Sequence, residues 1–246
     1  MSLTRLVSFG RRRLAARRLN VPFTRAANFA LPASVRLDGR DVPILLRDEH
    51  GVRVAFVELL LDDCYGLRRL VRRREGVATI LDVGANVGLF GLAARVAFPQ
   101  ATIHCYEPNA ALEPYLAHQA KIARCDYFLE AVGRETGRVS LTCRSGESVL
   151  TSSRADPEGD IQQIALRNTL DRLGGSADLV KMDCEGAEWE MFEDVAAWRD
   201  VRFLSLEYHL KSGDSHDRIP AALAKIGFEI ERQARATNFG LVLARR

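Results

Sequence analysis

The sequence has no C-x-x-C pair, no membrane-length apolar run, no internal repeat and no low-complexity tract. Its five cysteines (Cys64, Cys105, Cys125, Cys143 and Cys184) are odd in number and scattered, a spacing that excludes a zinc ribbon or a redox dithiol. They read as free, mostly buried thiols of a reducing compartment, which places the chain in the cytoplasm as an expectation. No stretch approaches the roughly 18 apolar residues of a membrane span, and Met1 to Arg25 lacks the continuous apolar region of a secretory signal. At 246 residues, 47% hydrophobic and 27% charged, the chain is neither disordered nor fibrous. That length fits one domain with a small N-terminal elaboration.

Acid is missing from the first 25 residues, which hold seven arginines, so the remainder carries 28 basic against 32 acidic side chains. A mildly acidic body disfavours a nucleic-acid-binding surface, because phosphates need positive charge spread over the binding face. Within the basic segment Leu3, Leu6, Val7, Leu14 and Leu19 fall on a roughly helical period among Arg11, Arg12, Arg13, Arg17 and Arg18. This pattern predicts a helical extension or lid packing on the body; the alternative is peripheral contact with an anionic membrane or a protein partner.

Residues 35–57 alternate short apolar runs with turn signals, which predicts two or three antiparallel strands. A helix capped by Asp62 and Asp63 follows, with Leu67, Leu70 and Val71 on one face. From Val77 onward apolar strands (near 78–83, 101–107, 126–132, 178–183 and 201–208) alternate with amphipathic helices (near 87–97, 110–122, 187–196 and 216–226). That alternation is the signature of β-α units around a mainly parallel sheet. Residues 137–167 read as a hairpin-like excursion over one face, and residues 227–244 as a terminal antiparallel hairpin. The division is therefore 1–76, a basic segment with a small β/α extension, and 77–246, the main domain.

Chemistry concentrates at the expected strand ends. Ile80-Leu81-Asp82-Val83-Gly84-Ala85-Asn86-Val87-Gly88 is a buried strand emptying into a glycine turn that opens a helix. Gly84 permits the turn and Gly88 the close packing of helix on strand, leaving N–H groups aimed above the strand. Nineteen residues after Gly88 comes Glu107, followed by Pro108, at the end of the next strand, where a carboxylate would accept bonds from both ribose hydroxyls of a nucleoside. An acid such as Asp82 at the first strand stabilises the ammonium and sulfonium of S-adenosylmethionine and repels a dinucleotide pyrophosphate. Two further strand ends carry acids: Lys181-Met182-Asp183-Cys184-Glu185-Gly186-Ala187-Glu188 and Glu207-Tyr208-His209. Glu188, on the first helical turn, has an adequate structural role as a cap. Alternation puts Glu207 and His209 on one face, where a general base beside a substrate hydroxyl would sit.

These runs, with Tyr106-Glu107-Pro108-Asn109, Ala131-Val132-Gly133 with Gly137, and Thr169-Leu170-Asp171, resemble the FkbM-type methyltransferase family over about residues 77–230. The resemblance implies a class I, S-adenosylmethionine-dependent methyltransferase with a Rossmann-like fold, acting on a hydroxyl of a small metabolite or sugar. It implies further that Asp82, Gly84, Asn86 and Gly88 line the methionine end, Glu107 holds the ribose, Glu130 and Ala131 neighbour the adenine, and Asp183 stands near the transferred methyl. The first 60 residues match the family's motifs poorly.

The expected architecture is a doubly wound, mostly parallel seven-stranded α/β sheet with a terminal antiparallel hairpin. The expected reaction is O-methylation of a small-molecule, saccharide or natural-product acceptor, with Asp183, Glu207 and His209 as the catalytic set. No spacing demands a metal and none is assigned; Asp183, Glu185 and Glu207 are the oxygen ligands one would use. Two rivals remain at this point: an NAD-dependent oxidoreductase using the same turn and ribose acid, and a noncatalytic nucleoside-binding module.

Overall fold

The computed structural model describes residues 3–143 and 151–246. Its N-terminal part comprises α1 (Leu3–Arg18), a hairpin of β1 (Ser34–Leu37) and β2 (Arg40–Pro43), α2 (His50–Phe56) and α3 (Leu67–Arg72). Asp38 (φ 49°) and Gly39 (φ 78°) are both left-handed, the conformation that a two-residue hairpin loop requires. Of the strands expected over 35–57 only these two form. Residues 50–56 are helical instead, and the helix continues as a π-helical segment, Val57–Asp62. The reason is spacing: Val52, Phe56 and Leu60 recur every fourth residue and are all buried. Of the two expected caps, Asp63 accepts the Arg68 N–H at 3.0 Å. Asp62 does not cap α3, because its carboxylate is clamped by the Arg12 guanidinium of α1 through two 2.6 Å hydrogen bonds.

The main domain runs β3 (Thr79–Val83), α4 (Leu89–Ala97), β4 (Thr102–Tyr106), α5 (Glu113–Ala123) and β5 (Asp126–Phe128). There follow β6 (Ala131–Gly133), β7 (Gly137–Cys143), β8 (Thr151–Ala155), β9 (Ile161–Ala165) and α6 (Leu166–Arg172). The chain ends with β10 (Ala177–Met182), α7 (Glu188–Met191), β11 (Val201–His209), α8 (Arg218–Lys225), β12 (Glu229–Arg235) and β13 (Phe239–Arg245). Seven strands make the central sheet in the order β12-β13-β11-β10-β3-β4-β5. The five from β11 to β5 are parallel to one another, and β13 pairs antiparallel with both β11 and β12. Successive strands are laid to one side of β3 (β4, β5) and later ones to the other (β10, β11). The switch point between β3 and β10 is where open α/β sheets bind ligands, outside the carboxyl ends of the strands.

Two expected elements are modified. The strand near 126–132 divides into β5 and β6, which join different sheets, and the helix near 187–196 is shorter, ending at Met191. The excursion over 137–167 is a second, four-stranded sheet in the order β6-β9-β7-β8; residues 144–150 of it lie outside the described residues. Among the described residues no helix is long and apolar enough to cross a membrane.

Apolar side chains of the N-terminal part and of the main domain share one cluster. Ala15, Ala16, Leu19, Val52, Phe56 and Leu61 pack with Leu89 and Leu92 of α4 and with Leu112 and Ala123 around α5. Phe56 is fully buried there. Phe56→Ala is therefore expected to destabilise the whole chain by about 3–5 kcal/mol, with tryptophan fluorescence (Trp189 and Trp198, both in the main domain) and far-ultraviolet dichroism reporting one shared denaturation midpoint. Two separated midpoints would show that the N-terminal part unfolds by itself.

Candidate active site

Between β3 and α4 the chain turns through three left-handed residues, Gly84 (φ 76°), Asn86 (φ 49°) and Gly88 (φ 81°). The turn is held by the Tyr106 carbonyl, which accepts from Gly84 N–H at 3.0 Å and Ala85 N–H at 2.9 Å. A Cβ on Gly84 would lie 1.8 Å from the Asp183 carbonyl oxygen, so no other residue fits between the ends of β3 and β10. Glu107, at the end of β4, is 6% exposed and is fixed at both oxygens: Asn86 N–H donates to Oε2 and Asn109 N–H to Oε1, each at 2.8 Å. Burial pushes its carboxyl up, opposed by those two backbone hydrogen bonds. One carboxylate thus pins the glycine turn with one lone pair of each oxygen.

Above these strand ends lies a cavity of about 480 Å³. Nine of the expected site residues line it: Gly84, Asn86, Glu107, Pro108, Glu130, Ala131, Asp183, Glu207 and His209. On one flank Glu130 accepts from Arg172 Nη1 at 2.7 Å, and that guanidinium stacks 4.4 Å over the Phe128 ring, which in turn stacks on Tyr106 at 4.8 Å. Burial raises the Tyr106 phenol to about 12, so it stays protonated.

The opposite flank is acidic and tightly wired. Tyr65 Oη donates to Asp183 Oδ2 at 3.0 Å and lies 3.4 Å from Glu207 Oε2. His209 Nδ1 is 3.2 Å from Glu188 Oε1, while its Nε2 is 3.5 Å from Glu185 Oε2 and 3.7 Å from Glu207 Oε1. Burial pushes the Glu207 carboxyl up to about 8, and the charge of Asp183 adds to this. Burial alone would lower His209, but its hydrogen bond to Glu188 and the charges of Glu185 and Glu188 outweigh that and raise it to about 9. A proton is thus available within a group of carboxylates at neutral pH.

A family model described as the methyltransferase FkbM domain matches residues 82–230. The chain belongs to the FkbM methyltransferase family. The methyltransferase sdnD of Sordaria araneosa is 26% identical over 240 residues, spanning 78% of this chain and 88% of that protein. The 31-O-demethyl-FK506 methyltransferase FkbM of Streptomyces tacrolimicus is 38% identical over 118 residues, 44% of this chain and 41% of that protein. Among solved structures, magnesium protoporphyrin IX methyltransferase (ChlM) from Synechocystis PCC 6803 with bound SAM overlaps 79% of this chain and 81% of its own, at 16% identity and a TM-score of 0.48.

Two expected ligand contacts of this FkbM-family chain fall elsewhere. Asp82 does not line the cavity: it is fully buried under the glycine turn, where register places it between Lys181 and Cys105, with Lys181 Nζ 3.2 Å away. Gly88 is also below the cavity; a Cβ there would lie 2.8 Å from Gln119 Cβ, so its smallness brings α4 and α5 together. Conversely, Tyr65 and Glu58 reach the cavity from the N-terminal part, where no motif announced them. Lys181 had a readable signal, being a lone cation inside an apolar strand. It is 3% exposed and donates to the carbonyls of Val83 (3.3 Å) and Gly84 (2.6 Å). Burial would lower its ammonium, but Asp82 and Asp183 hold it up. Lys181→Met would leave Asp82 buried without a counter-charge and is expected to cost about 3–5 kcal/mol in chemical denaturation. Asp82→Asn combined with Lys181→Met should recover most of that loss, and additive losses would disprove the coupling.

Proposed function

We propose that this chain transfers a methyl group from S-adenosylmethionine to a hydroxyl oxygen of a small acceptor, a saccharide or another natural product. The observation that carries the reading is Glu107, buried at the end of β4 with both oxygens pinned by backbone N–H groups, at the rim of a cavity ringed by acids. Among the described residues no arginine lines that cavity, and its lysine is engaged beneath the glycine turn. Such a donor set suits an ammonium and a sulfonium; it is unsuited to the pyrophosphate of a dinucleotide, which disfavours the NAD-dependent rival. When bound, the cofactor supplies a methyl carbon already activated by positively charged sulfur.

The protein's task is then alignment and proton removal. Glu107 accepts the ribose hydroxyls through its free lone pairs. Glu130 and Ala131 bound the adenine side, next to the Tyr106–Phe128 stack. Gly84 and Asn86 shape the floor, with Asp82 and Gly88 supporting it from below. Asp183, held by Tyr65, faces the reacting centre, and Glu207 takes the acceptor's proton while His209 orients the acceptor oxygen.

Titration calorimetry is expected to show S-adenosylhomocysteine binding at least ~10-fold tighter than NAD, and Glu107→Ala weakening it by about 1.5–3 kcal/mol, the worth of hydrogen bonds to a charged group. Tyr65→Phe is expected to leave that affinity unchanged while slowing transfer of isotopically labelled methyl to an acceptor pool. Preference for NAD would overturn the assignment.

A further inference from the structure

We propose that Asp183, Glu185 and His209 form a binding site for a divalent first-row cation of the Mn²⁺ type, placed to receive the acceptor oxygen. The proposal rests on the methyltransferase reading for its role, but not for its existence. Each of the three residues offers one ligand atom, and these atoms lie within 4.8 Å of one another. All three line the reaction cavity, two from the turn after β10 and one from the end of β11. Among the described residues no other group of three is so arranged.

The second observation lies behind the cluster. Glu188 is fully buried; its Oε1 holds His209 Nδ1 at 3.2 Å, and its Oε2 is buried without any hydrogen-bond partner. A buried carboxylate on the far nitrogen of an imidazole is the arrangement that fixes a metal-binding histidine, since it sets the tautomer and turns the Nε2 lone pair toward the ligand. From Nε2 the carboxylates stand at 3.5 Å (Glu185) and 3.7 Å (Glu207), beyond ordinary N–H···O distances. Two donors each about 2.1 Å from a shared ion are about 3 Å apart at a right angle, so the His209–Glu185 pair at 3.5 Å needs only a small contraction, and no two of the three ligand atoms are more than 4.8 Å apart. Two carboxylates with one imidazole form a donor set suited to Mn²⁺ or Zn²⁺ and lack the thiolates that select softer ions.

In the reaction the ion binds the acceptor hydroxyl, whose proton passes to Glu207. The oxygen then bonds to the methyl carbon as the carbon–sulfur bond breaks, its electron pair remaining on the now neutral sulfur.

The test titrates chelator-treated full-length protein with Mn²⁺, reading free ion by electron paramagnetic resonance, beside calorimetry with S-adenosylhomocysteine. One ion per chain is expected, with His209→Ala and Glu185→Gln each weakening it at least ~10-fold and Glu188→Gln by ~10-fold, as for an outer-shell partner. S-adenosylhomocysteine affinity should stay within about threefold in these variants, which also certifies that they fold. If the wild type binds S-adenosylhomocysteine but takes up no Mn²⁺ at about 1 mM, or if His209→Ala binds the ion as the wild type does, the metal site is disproved and the cluster is a protonated imidazole among carboxylates. If Mn²⁺ binds and S-adenosylhomocysteine does not, the site stands and the cofactor reading falls.

Discussion

The ends of β3 and β10 touch, and the remaining architecture is arranged around that contact. Asp183 N–H donates to the Val83 carbonyl at 3.1 Å, and Gly84 has no side chain because the Asp183 carbonyl fills the space one would need. With two parallel strands joined at their tips, the loops that follow can leave only upward and apart. One becomes the glycine turn over α4, and the other becomes the acidic turn before α7. The crevice between them is a consequence of chain direction at a switch point, and Glu107 on β4 closes its third side.

Charge follows from the same contact. The touching strand tips bury Asp82 and Lys181 side by side, and the ammonium spends its hydrogens on the carbonyls of Val83 and Gly84. A fixed positive centre under the floor partly offsets the group of carboxylates above it. Without such a centre, Asp183, Glu185, Glu188 and Glu207 would repel one another strongly in a region poor in water. Lys181 is thus a cation that lets so many acids share one region.

The fold was largely legible because parallel strands buried on both faces leave short, mostly apolar runs, as in Ile80 to Val83 and Leu179 to Met182, each interrupted by one charged residue. Strand-end acids were legible for the same reason, since the run that marks a strand also marks where it stops. The misreadings arose where local pattern is ambiguous. Glu49-His50-Gly51 resembles a turn, yet it opens a helix, and only the four-residue recurrence of Val52, Phe56 and Leu60 distinguishes the two. Asp82 reads as a residue at the mouth, whereas pairing register sinks it below. Glu188 reads as a helix cap and does accept the Gly186 N–H, yet its more telling partner is His209, 21 residues away. Tyr65 could not have been foreseen, because its hydrogen bond to Asp183 spans 118 residues and nothing local records it.

Tyr65 is contributed by the first third of the chain, which lies outside the family match, yet its hydroxyl is hydrogen-bonded to Asp183. The lining of the chamber is thus written in two separate stretches of the sequence. A substitution at Tyr65 can therefore alter the Asp183 flank of the cavity while the glycine turn and Glu107, held by their own hydrogen bonds, stay as they are.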